Sequence, residues 1–243
     1  MNVNSSSGIS PQKYARTGGI AYLIIIVAGF IGEMFIRNKI IVPGDAAATA
    51  GNLVASSLLW RIGIAGDIIM HVCDIIVMLV LYVLLKPVNK HLALAALLFN
   101  LVQTAVLVAN KMNLLMPWFL LGEADYLKAF EPQQLQALAR LSIKAHGYGF
   151  GIGLIFFGCV LLVNGYLIIK SGYFPKAIGI LIQVAGICYL INSFALILAP
   201  SLTDILFPAI LLPPLIGELT LCLWLIIKGV NLPKWQEKVI SPS

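Results

Sequence analysis

The chain has 243 residues, of which 60% are hydrophobic and 11% charged, with a mean hydropathy of +0.97. Soluble domains carry about 25% charged residues, so this composition excludes an ordinary soluble fold. The net charge of +6 does not argue for a nucleic-acid partner, because the basic residues are scattered at the ends of apolar segments rather than gathered on one surface.

Six segments are long and apolar enough to cross a bilayer, for which about 20 helical residues suffice: residues 18–36, 58–85, 92–116, 143–169, 177–199 and 205–227. Backbone groups in lipid must find partners within their own segment, so these are helices. The predicted fold class is all-α: a polytopic helical membrane bundle of six transmembrane helices, with short interfacial helices on the outer side. Residues 18–230 make the membrane domain, between a polar cytoplasmic tail at 1–17 and a second cytoplasmic tail at 231–243.

Lys13 and Arg16 precede the first span, as in a secretory signal, but no small-x-small cleavage pattern follows. Glu33 and Arg37 come instead, so the segment reads as a retained span. Val42-Pro43-Gly44-Asp45 then makes a turn with Asp45 as N-cap, and Ala46–Ala55 reads as a short surface helix.

The second span carries Asp67, His71 and Asp74 at i, i+4 and i+7, which puts all three on one helical face. Ionisable groups at membrane depth are expensive, and they mark a working site unless they are paired. The third span adds Asn100, Gln103 and Asn110 on one stripe, with Lys111 beside it. Amides of this kind either glue helices together or meet a ligand.

Beyond the third span, residues 131–140 begin Glu-Pro and read as a helix near the outer interface that runs into the fourth span. The fourth span opens on His146 and two overlapping small-xxx-small registers, Gly147/Gly151 and Gly149/Gly153, which favour close helix packing. Spans five and six contribute Gln183, Asn192, Ser193 and Glu218, and Pro213-Pro214 is expected to break or kink the last span just before Glu218. Cys73, Cys159, Cys188 and Cys222 lie in four different apolar segments with no CxxC pair, so neither a disulfide framework nor a zinc site is expected.

Spans two, four and six end alike, at Lys86-Pro87, at Lys170 with Pro175-Lys176, and at Lys228 with Pro233-Lys234. Together with Lys13 and Arg16 they place that side, and both termini, in the cytoplasm by the positive-inside rule. The expected location is the cell inner (plasma) membrane.

The words VPGDAAATA (42–50), LYVLLKPVNK (81–90), QLQAL (134–138) and GYLIIKSGY (165–173) resemble a bacterial membrane family known as domain of unknown function 4386. The resemblance runs from about the first span to the fifth. It implies a multi-span membrane protein and brings no activity with it.

By depth, most of the unusual polar groups gather in one outward-facing half. The expectation is an outward-facing polar pocket lined by Asp67, His71, Asp74, Gln103, Asn110, His146 and Glu218, with Asp67, Gln103 and His146 facing one another. Such a pocket suits binding or transport of a small molecule or ion. The alternative is an intramembrane enzyme acting on a lipid or other apolar substrate, although no catalytic signature or nucleophile stands out. A third reading makes the charges structural, with Asp67 paired to Lys111. No cofactor-binding or metal residues are assigned, and the cofactor is unknown. The expected partners are membrane lipid and a small-molecule ligand, with homo-oligomerisation open and nucleic acid excluded.

Overall fold

The computed structural model describes residues 10–240. Six helices are long and apolar enough to span a membrane: Pro11–Ile40, Ser57–Leu85, Lys90–Leu120, Pro132–Ser171, Lys176–Leu198 and Ala209–Ile227. They are numbered one to six below. Among the described residues there is no strand.

Each span packs on the next in sequence, and the first packs on the sixth, so the bundle closes as a ring. Short connections dictate this arrangement, since consecutive antiparallel helices are the cheapest neighbours. The main apolar core draws on Leu84, Leu85, Leu167, Ile182 and Leu225, from spans two, four, five and six.

The tightest approach joins spans four and five through a glycine pair repeated seven residues apart on each. A Cβ on Gly165 would sit 2.6 Å from the Gly179 carbonyl oxygen, and one on Gly186 would sit 2.8 Å from that of Gly158. The expected registers behave differently. Gly149 and Gly153 face Asn110 and Leu107 of span three, Gly151 faces Leu196 of span five, and Gly147 has open space.

Two further features have simple physical causes. Residues 132–140 run into the fourth span as expected, as the start of one continuous 40-residue helix, Pro132–Ser171. No breaker lies between Gln133 and His146, and a capping box of Glu131 and Gln134 fixes the start. Of the two expected outcomes, Pro213-Pro214 breaks the segment 205–227 rather than kinking it. Both prolines lie in the first turn of the helix Leu212–Ile227, where a missing N–H breaks no intrahelical bond. The span is shortened accordingly, because Pro200–Leu206 forms a separate short helix before it.

The helix Ala46–Ala55 forms as expected, with the Ala48 N–H donating to Asp45 Oδ1 at 2.8 Å. It covers an apolar cluster that includes Ile40, Leu53, Trp60 and Leu114 at one end of the bundle.

At the opposite end the lysine-bearing exits meet. Tyr173 Oη donates to the Leu84 carbonyl at 2.6 Å, and Trp235 Nε1 donates to the same oxygen at 3.2 Å. Burial raises the Tyr173 pKa, which keeps its hydroxyl a donor. Gln12 bridges the first and sixth spans, donating to the Lys228 carbonyl at 2.7 Å and accepting from the Val230 N–H at 3.1 Å. Residues 232–240, expected as part of a tail, form the helix Leu232–Ile240.

Candidate functional site

Span two positions the central carboxylates. Asp67, His71 and Asp74 are all buried, while Ile69, Val72 and Ile76 on the other side of the helix are exposed. The ionisable face therefore points into the bundle.

The first span reaches this face through a π-helical stretch, Gly32–Arg37. The wider π turn re-aims side chains, and such bulges recur at functional sites. Here Arg37 Nε donates to Glu33 Oε2 at 2.7 Å and Arg37 Nη1 donates to Asp67 Oδ2 at 3.0 Å. Gly32 lets the turn approach, since a Cβ there would lie 3.4 Å from Asp67 Oδ1.

Span three supplies a second cation to the same oxygen. Lys111 Nζ donates to Asp67 Oδ2 at 2.9 Å and lies 3.4 Å from His146 Nε2 of span four. Asn110 Nδ2 donates to the His146 carbonyl at 2.9 Å, and its own oxygen accepts from Asn113 Nδ2 at 2.9 Å. Spans one to four are thus joined by one polar network centred on Asp67.

His71 lies within Coulombic reach of Asp67, Lys111 and His146, and its buried Nε2 has no hydrogen-bond partner among the described residues. The Gln103 Oε1 is likewise buried and unpartnered, and no hydrogen bond joins Gln103 to Asp67 among the described residues.

The other two carboxyls are held differently. Asp74 Oδ2 accepts from Asn100 Nδ2 at 3.0 Å and, at closer range, from the Thr104 hydroxyl. Glu218 accepts from Tyr22 Oη at 2.9 Å and from Tyr189 Oη at 2.6 Å, so spans one and five clamp the carboxyl of span six. Asp74 and Glu218 lie within Coulombic reach of each other and of Tyr22. Neither forms an ion pair among the described residues.

The bundle therefore holds two kinds of carboxyl, with Asp67 and Asp74 buried and Glu218 half-buried. Asp67 is neutralised by two cations, whereas Asp74 and Glu218 meet only neutral donors. A carboxylate at that depth needs a counter-charge that these donors do not supply. Among the described residues no three His, Cys, Asp or Glu side chains converge as metal ligands.

Two cavities stand out, and neither borders Asp67, His71 or His146. One, of about 10 Å³, lies beside Asn100 and Asn164 and has room for one water at most. The other, of about 350 Å³, opens at the lysine end between Tyr173, Trp224 and Lys228.

Sequence reasoning missed Arg37, Thr104, Tyr22 and Tyr189 as partners. Arg37 depends on a π turn that leaves no pattern in the sequence. A tyrosine in an apolar run reads first as an interfacial anchor.

A family profile described as Domain of unknown function (DUF4386) matches residues 17–229. A curated relative from Archaeoglobus fulgidus, described only as an uncharacterized protein, is 30% identical over 169 residues, which is 70% of this chain and 85% of the relative. No solved structure matches.

Proposed function

We propose, for a chain that belongs to the DUF4386 family, that it binds a small monovalent cation, a proton or an alkali ion, within the membrane and passes it along the bundle. The reading rests on one observation. Asp74 and Glu218 are carboxyls at membrane depth, held by Thr104, Asn100, Tyr22 and Tyr189, with no cation beside either among the described residues. The missing positive charge is what a bound cation supplies. In this reading Tyr22, near both acids, is the stepping point between them.

We place the protein in the plasma membrane with the lysine end and both termini in the cytoplasm. The exits at Lys86, Lys170 and Lys228 support that orientation through the positive-inside rule.

The test is ion flux in proteoliposomes. Under an imposed membrane potential, internal dyes for pH, sodium and potassium should report entry of one cation. Glu218→Gln and Asp74→Asn should each abolish it. Flux equal to that of empty vesicles with all three cations would end the proposal.

A second reading rests on a different observation, the orphaned His71 Nε2 and Gln103 Oε1. Buried polar atoms normally find partners, so a small polar ligand or an ordered water between spans two and three would satisfy them. Binding of such a ligand would be lost in His71→Leu while cation flux survived. The enzyme reading gains no support, since no serine or cysteine hydrogen-bonds to His71 or His146 among the described residues.

A further inference from the structure

The lysine end carries a built cavity that the cation path does not use. Its volume is about 350 Å³, and it lies between the turn joining spans four and five and the exit of span six. Tyr173, Phe174 and Val230 are buried and form a firm wall. Trp224 is fixed by its Nε1 donating to the Gly229 carbonyl at 2.9 Å, and Asn231 by its N–H donating to the Tyr173 carbonyl at 3.3 Å. Lys228 lines the opening and is exposed.

The position of the cavity says what solvent it meets. Spans four and six finish at Ser171 and Ile227, and span five begins at Lys176. The cavity therefore lies where the helices leave the hydrocarbon, at the depth of lipid headgroups. Leu232–Ile240 is an amphipathic helix with exposed Leu232 and Val239, Lys234 and Lys238 on its polar positions, and Trp235 tied to Leu84. Such a helix lies in the plane of the interface.

Charge and apolar surface then select one occupant. Lys170, Lys176 and Lys234 flank in sequence the residues that line the cavity, while the nearest acids, Glu218 and Glu237, are each six residues from a lining residue. Ile227, next to Lys228, is exposed. An anionic headgroup over Lys228 with an acyl chain against Ile227 satisfies both. We infer that this cavity is a binding site for the phosphate headgroup of an anionic phospholipid, with Lys228 as its charged contact and Trp224 and Asn231 shaping it.

The test is native mass spectrometry of the delipidated full chain, titrated with phosphatidylglycerol, phosphatidylcholine, or inorganic phosphate alone. The wild type should retain phosphatidylglycerol in preference to phosphatidylcholine and should not retain inorganic phosphate. Lys228→Gln should weaken phosphatidylglycerol about tenfold, the scale of one lost charge-assisted hydrogen bond. Lys228→Arg should preserve it, and Lys238→Gln, on the same basic end but away from the cavity wall, should change it little. Equal losses in Lys228→Gln and Lys238→Gln would mean diffuse attraction to a basic surface and would overturn the site. Retention of inorganic phosphate in place of the lipid would overturn the lipid assignment.

Discussion

Lys111 on span three holds its ammonium 2.9 Å from the Asp67 carboxylate on span two, with side chains 4% and 1% exposed. Arg37 donates to the same carboxylate oxygen from 3.0 Å on the other side. One acid thus answers to two cations, and the three helices that carry them are locked in register.

That asymmetry predicts unequal damage. Breaking a buried pair by removing one partner destabilises by about 3–5 kcal/mol, because the other charge is left uncompensated. Lys111→Met leaves Asp67 with Arg37 and should fall at the low end. Asp67→Asn strands both cations and should fall at the high end. The double variant should recover part of the loss. Thermal melts in detergent of the three variants would check this; near-neutral single variants would refute it.

The Asp67–Lys111 pairing was legible in the sequence as the third of three readings of the intramembrane charges. Asp67 shares a helix face with His71 and Asp74, and Lys111 is the lone cation deep in the neighbouring span, so the two had few other partners. Arg37 was not legible as a participant, because its reach depends on the backbone of Gly32–Arg37 widening into a π turn. The six spans were readable from length and hydropathy alone. The Gly158/Gly165 and Gly179/Gly186 contact was not, because the pairing lies between helices and its seven-residue spacing differs from the small-xxx-small register.

The glycine contact gives a second prediction. Gly165→Ala would drive a methyl against the Gly179 carbonyl and the Gln183 side chain, and should destabilise by about 1–3 kcal/mol as an overpacking change. Gly147→Ala meets nothing within 4 Å and should stabilise its helix by up to about 1 kcal/mol. Opposite shifts in detergent melting temperature are the expected result, and two shifts of the same sign would contradict the packing.

Orientation is testable by labelling. In a background lacking the four native cysteines, a membrane-impermeant maleimide applied to intact cells should modify Asp125→Cys, whose side chain is 92% exposed. It should spare Lys90→Cys until the cells are opened. The reverse pattern would invert the proposed topology and move the anionic-lipid site to the other leaflet.

The last prediction separates a cation-binding Glu218 from one held only for architecture. Tyr22 and Tyr189 each give one hydrogen bond to it, at 2.9 and 2.6 Å. Tyr22→Phe and Tyr189→Phe should each lower stability by about 0.5–1.5 kcal/mol, the net worth of one hydrogen bond. Glu218→Gln keeps the shape and an acceptor oxygen, so its own loss should be smaller. Ligand linkage then distinguishes the two roles. A cation that binds the folded bundle and not the unfolded chain raises the melting temperature as its concentration rises. The wild type should therefore melt higher as the transported cation is titrated at constant ionic strength. The two phenylalanine variants should follow with weaker midpoints, and Glu218→Gln should respond less than the wild type, through Asp74 alone. A response in Glu218→Gln equal to the wild type would assign the cation to another group. A flat wild-type curve for protons, sodium and potassium alike would leave Tyr22, Tyr189 and Glu218 as a purely structural clamp between spans one, five and six.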